Sequence, residues 1–282
     1  MLSQSQKYFV PEPSRWPIFG SFALFFMALG AAMWFNGVGA GPILVVIGLA
    51  ILAYMLFGWF GTVAAESESG KFNKSVDASF RWGMSWFIFS EVMFFAAFFG
   101  ALFYMRNLSI PWLASGDNSE QLWQGFSAVW PSQGPGLKEV FSPMKAMGIP
   151  AINTLILLTS GVTVTIAHWG LLKNNRAQLI KWLFATVVLG VLFLSLQAYE
   201  YGHAYAEGLT LKTGAYGATF YMLTGFHGFH VTVGTIMLMV ILGRSIKGHF
   251  TAEHHFGFEG VAWYWHFVDV VWLLLFILVY WL

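Results

Sequence analysis

RWGMSWFIFSEVMFFAAFFGALFYMR, residues 81–106, is the stretch whose reading decides the fold. Between Arg81 and Arg106 the only acidic or basic side chain is Glu91. A bilayer core of about 30 Å asks for about 20 apolar residues in helix, because every backbone amide must find its partner within the segment. Residues 82–105 meet that demand. Working outward, six more stretches do so or come close: 18–35, 41–63, 149–172, 180–199, 216–243 and 259–282. The sequence therefore predicts seven transmembrane helices.

Composition agrees. Of 282 residues, 57% are hydrophobic, 19% aromatic and 10% charged, and mean hydropathy is +0.65. A soluble domain carries about 25% charged residues. These values exclude a soluble enzyme, a disordered chain and a nucleic-acid binder. Formal net charge is +1, which offers no global steering. Cysteine is absent, so disulfides, thiolate metal sites and Cys nucleophiles are excluded. Residues 1–15 are polar and Pro-containing, with neither a signal-peptide core nor an Arg-rich transit pattern.

Orientation follows from Lys and Arg. With the N-terminus inside, the inner segments hold Lys7, Arg15, Lys71, Lys74, Arg81, Lys173, Arg176, Lys181, Arg244 and Lys247. The outer ones hold Arg106, Lys138, Lys145 and Lys212. The C-terminus is then outside. One loop is long, 107–147, with four Pro and three Trp, and reads as an ordered outer loop. The connection 36–40 is short enough to make the first two helices a hairpin. No internal repeat is visible, which weakens a transporter reading.

Ionisable groups at membrane depth each need an account. Glu91 lies about 14 Å past Trp82, near the midplane. It is either a proton-handling carboxyl or a clamp to another helix; a single carboxyl without polar neighbours makes no pathway, which favours the clamp. Asp269 and His266 share a face of the last helix and admit the same two readings. His227 and His230, three apart in the sixth helix, could present two imidazoles to a metal or one to a haem. The nearby Gly225, Gly228 and Gly234 fit close helix packing and interhelical hydrogen bonds better. His249, His254 and His255 form a loop cluster that could collect protons or simply be solvated. Arg81 and Arg244, with Trp59 and Phe87 at similar depth, could hold lipid headgroups or merely snorkel. No Walker loop, HExxH, GxGxxG or Ser–His–Asp order occurs.

The run HFTAEHHFGFEGVAWYWHFVDVVW (249–272) resembles the C-terminal signature of subunit III of cytochrome c oxidase. RWGMSWFIFSEVMFF (81–95), INTLILLTSG (152–161), LQAYEY (196–201), YGATFYMLTGFHGFHV (216–231), PSRWPIFGSFA (13–23) and MWF (33–35) resemble that family in the same order. The resemblance implies an all-α membrane protein of seven helices. A two-helix part (1–66) and a five-helix part (67–282) would flank a lipid-filled V-shaped cleft. It implies no haem, copper or other metal in this chain. Haem a and copper would sit in partner subunits, with subunit I the main contact and subunit II receiving electrons from cytochrome c. Subunit III would lie near a proton-uptake entrance, stabilise subunit I and hold phospholipids. By motif position Glu91 is the family's buried carboxyl, and Arg81, Phe87, Arg244 and Trp59 are its lipid contacts. His227, His230, His266 and Asp269 take packing and assembly roles. The stretch Trp59–Glu66 lacks the basic and acidic pair that many relatives carry there. The long 107–147 loop points to a bacterial inner membrane. Subunit III of a quinol oxidase and a stand-alone transporter or proton channel are the alternatives, with a haem-binding redox protein further off.

Overall fold

A computed structural model describes residues 8–137 and 141–282, apart from the side chain of Ser119; Lys7 and Lys138, used above for orientation, lie outside the described residues. The described chain is helical, and seven of its helices are long and apolar enough to cross a membrane. We number them α1 (Trp16–Phe35), α2 (Gly41–Glu68), α3 (Lys74–Tyr104), α4 (Ile149–Leu172), α5 (Arg176–Ala206), α6 (Gly214–Lys247) and α7 (Phe256–Leu275). α3 runs on through a π turn into a short helical piece, Ile110–Leu113, and α7 through the π turn Phe276–Trp281.

Most of these helices outrun the apolar stretches that announced them. α5 has 31 residues, about 46 Å at 1.5 Å per residue, well over the hydrocarbon thickness. Apolarity marks hydrocarbon depth, whereas local capping decides where a helix stops. Pro17, Pro42 and Pro150 occupy first-turn positions of α1, α2 and α4, where no backbone donor is missed. The Asn175 side chain accepts from Gln178 N at 3.1 Å and opens α5. Gly248 closes α6 in the left-handed region, φ 85°. Arg176 then donates to the carbonyls of Ser245 (2.8 Å) and Ile246 (3.1 Å), completing that cap from the start of α5.

The chain divides into two compact units, 1–80 and 81–282. In the first, α1 and α2 pack as an antiparallel pair. Gly30, Gly41 and Gly48 bring the backbones together, and a Cβ on Gly48 would lie 2.8 Å from Ala23 O. Small residues at such crossings replace the hydrophobic drive that lipid cannot supply.

In the second unit α7 is central. Its apolar window is 56% buried, against 11% for α3. Trp265 and Trp272 of α7 are fully enclosed, with Phe193 of α5 and Phe220 and Leu238 of α6. Each indole nitrogen donates to α4: Trp265 Nε1 to Ser160 Oγ and Trp272 Nε1 to Thr154 Oγ1, both 2.9 Å. Thr163 and Thr186 join α4 to α5 at 2.8 Å, and Tyr201 and Thr224 join α5 to α6 at 2.7 Å. A buried polar side chain without a partner is expensive, so these pairs fix helix register as well as contact.

Candidate functional site

Glu91 of α3 and His230 of α6, 139 residues apart, meet with Oε2 2.9 Å from Nε2. The other ring nitrogen, Nδ1, lies 2.6 Å from the Phe226 carbonyl. A carbonyl only accepts, so Nδ1 carries hydrogen and donates. Nε2 then either accepts a proton from a neutral carboxyl or, as imidazolium, donates to a carboxylate. Both forms share one proton and are neutral overall, which is how a pair survives in hydrocarbon. Phe95 lies edge-on to the imidazole at 4.9 Å and Tyr264 stacks on it at 6.3 Å. Ser90 Oγ donates to Phe87 O at 2.6 Å and is only a distant neighbour of Glu91, 3.5 Å away.

His227, one turn before His230, does not join it. Its ring sits between Phe193 and Trp272, 5.9 and 5.2 Å away, and its ring nitrogens make no hydrogen bond among the described residues. The two imidazoles therefore serve different surroundings rather than one ligand. His266 Nδ1 is 3.6 Å from Asp269 Oδ2, too far for a hydrogen bond, while its Nε2 reaches Thr165 of α4 at 3.3 Å. The Asp269 carboxyl packs where a Cβ on Gly161 would collide with it, so α7 and α4 touch closely there.

Arg81 forms an ion pair with Glu259 of α7 and lies over the Phe256 ring at 5.7 Å. Arg244 lies over Phe250 at 4.6 Å. Phe87 stacks on Tyr264 at 6.2 Å with about half its surface exposed. Trp59 belongs to the first unit and stacks on Phe60. The loop histidines do not form one surface group. His254 is exposed, but His255 is buried, turned in toward Glu259 one helical turn later. His249 takes part through its backbone, donating to Arg244 O.

Sequence reasoning missed Glu259 and Glu200. The i, i+4 spacing of His255 and Glu259, with Arg81 at the same depth, was the available signal for the first. Glu200 is 2% exposed on α5, faced by Gln197 and Tyr280. It escaped notice because the apolar stretch was closed one residue before it.

Comparison with known proteins follows the same length. The model of the family described as cytochrome c oxidase subunit III matches residues 6–282. Full-length relatives named cytochrome c oxidase subunit 3 include one from Latimeria chalumnae, 41% identical over 282 residues, covering 100% of this chain and 99% of that protein. Those from Dugong dugon and Scyliorhinus canicula are 40% identical with the same coverage. A match that runs nearly end to end, through every one of the seven helices, places this multi-pass membrane chain in the cytochrome c oxidase subunit III family, as a subunit of an oxidase complex.

Proposed function

We propose that this chain is the supporting subunit of an aerobic cytochrome c oxidase and holds no redox centre itself. Subunit I, with haem a and copper, reduces oxygen to water and pumps protons. Subunit II takes electrons from cytochrome c. This chain packs against subunit I, stabilises it through repeated turnover, retains phospholipids and assists proton uptake. The observation that carries the reading is the Glu91–His230 pair: a carboxyl of α3 and an imidazole of α6 are engaged with each other inside the chain. Such groups lock helices and leave the chemistry to a partner. A bacterial inner membrane is the location proposed, on the length of the 107–147 loop.

Glu91→Gln tests the supporting role. A carboxamide can donate to Nε2 of a neutral His230, so the clamp persists without a transferable proton. Assembly, haem content and the initial rate of oxygen reduction are expected to stay within about threefold of wild type, since even complete loss of that hydrogen bond in a membrane would be worth about 0.6 kcal/mol. An immediate collapse of turnover in normally assembled enzyme would put Glu91 on the proton route of the reaction.

Lipid retention rests on Arg244, whose guanidinium lies beside Phe250 at a helix end, and on half-exposed Phe87. A basic group near an anionic headgroup is worth about 1 kcal/mol. Arg244→Ala should therefore release phospholipid, counted per complex by mass spectrometry, and hasten inactivation during turnover. Unchanged lipid content together with unchanged inactivation would remove the role.

A further inference from the structure

We propose that His168, His255 and Glu259 form a binding site for a divalent metal ion of the zinc type. They converge where α4 ends and α7 begins. His168 sits in the last turns of α4, His255 immediately precedes α7, and Glu259 lies one turn into it. One ligand atom from each can be chosen so that all three lie within 4.8 Å of one another. Glu259 Oε1 is 3.3 Å from His255 Nε2 and 3.8 Å from His168 Nε2. Ligands at about 2.0–2.1 Å from a tetrahedral zinc ion stand about 3.3–3.4 Å apart, so the first edge has the right length and the second needs a few tenths of an ångström.

Hydrogen bonding argues for a cation between these groups. His255 Nδ1 is 3.0 Å from the Thr251 carbonyl and donates to it. A neutral ring turns the lone pair of Nε2 toward a carboxyl oxygen, two acceptors face to face; an imidazolium pairs with Oε1 and leaves His168 Nε2 unserved. Neither His255 Nε2 nor His168 Nε2 is satisfied by a hydrogen bond, though both are buried atoms. A single proton on Oε1 would serve one imidazole and strand the other; one metal ion serves both together with the carboxylate. A ring N–H held by a backbone carbonyl is also the usual outer support of a metal-bound histidine. Arg81 engages the other carboxylate oxygen, Oε2, and so leaves Oε1 facing the imidazoles. The His168 and Glu259 side chains keep 25% and 15% of their surface open, which leaves an approach for the ion and room for water as fourth ligand. Two imidazoles and one carboxylate suit zinc among common divalent ions, whereas calcium and magnesium take oxygen.

The test uses the assembled, detergent-solubilised complex. It is equilibrated with zinc chloride, desalted, and its zinc counted by plasma mass spectrometry. Wild type should retain one zinc per complex more than His168→Gln or His255→Gln. The dissociation constant for that zinc should rise at least about tenfold in either variant. His168→Gln leaves Arg81–Glu259 and His255–Thr251 in place. A second measurement needs no variant: zinc X-ray absorption of the loaded complex should show two imidazole ligands on the added ion. Equal zinc in wild type and variants, or an added zinc without imidazole ligands, overturns the site and leaves the cluster as proton-sharing groups.

Discussion

Trp265→Ala is expected to destabilise the second unit by about 3 kcal/mol, at the lower end of aromatic-to-alanine changes in soluble cores. Trp265 is fully buried at the centre of α7. It fills a space made by two missing side chains: a Cβ on Gly234 would lie 2.8 Å from the indole, and one on Gly190 3.0 Å from it. The site is a socket shaped on α5 and α6, so alanine leaves a void that neither helix can close without losing register. In a membrane the transfer of apolar surface from water contributes little between helices, and the loss is mainly of dispersion contacts. That is why the lower end of the range applies. Trp265→Phe separates packing from hydrogen bonding. It keeps most of the ring volume and removes the donor to Ser160, and should cost about 1 kcal/mol. Unfolding of the purified chain in mixed micelles by dodecyl sulfate measures both. Equal losses for Ala and Phe would show that the indole N–H, not the socket, holds α7.

The seven helices were legible because one physical quantity, hydrocarbon thickness, writes itself into the sequence as stretch length. Helix ends were not, because Asn175, Gly248 and Arg176 act through caps that hydropathy ignores. The candidate residues were legible singly, as rare ionisable groups at depth, and illegible as pairs. A helix that is apolar all round shows no face, so nothing in α3 says that Glu91 looks toward α6. Spacing misled at His255. The run from His249 to His255 reads as a solvated loop, yet Glu259 and the Thr251 carbonyl draw that one imidazole inward. At His227 and His230 interhelical hydrogen bonding was the favoured expectation, and among the described residues only His230 makes such a bond. Three residues fall about 60° short of a full turn, which is enough to send one ring to α3 and the other to Trp272.

His230→Ala carries the other large effect, and the reason lies in what it leaves behind rather than in the bond it removes. An interhelical hydrogen bond in a membrane averages about 0.6 kcal/mol and reaches about 1.7. Taken alone, that would make the variant mild. The Glu91 carboxyl, however, has 21% of its side-chain surface exposed and Phe94 and Phe95 beside its partner. With the imidazole gone it faces a cavity among aromatic rings, with Ser90 3.5 Å away and already donating to Phe87 O. Stranding an ionisable group at that depth adds about 2.5–3.5 kcal/mol on insertion scales. His230→Ala should therefore lose about 3 kcal/mol and release α3 from α6, seen as faster hydrogen exchange and proteolysis in α3. If the carboxyl is the source of the loss, the double variant Glu91→Gln with His230→Ala should regain about half of it, because a neutral amide is cheaper to strand than an ionisable acid. A double variant as unstable as His230→Ala alone would assign the loss to the cavity beside Phe95, and the pair would then be a matter of packing instead of proton sharing.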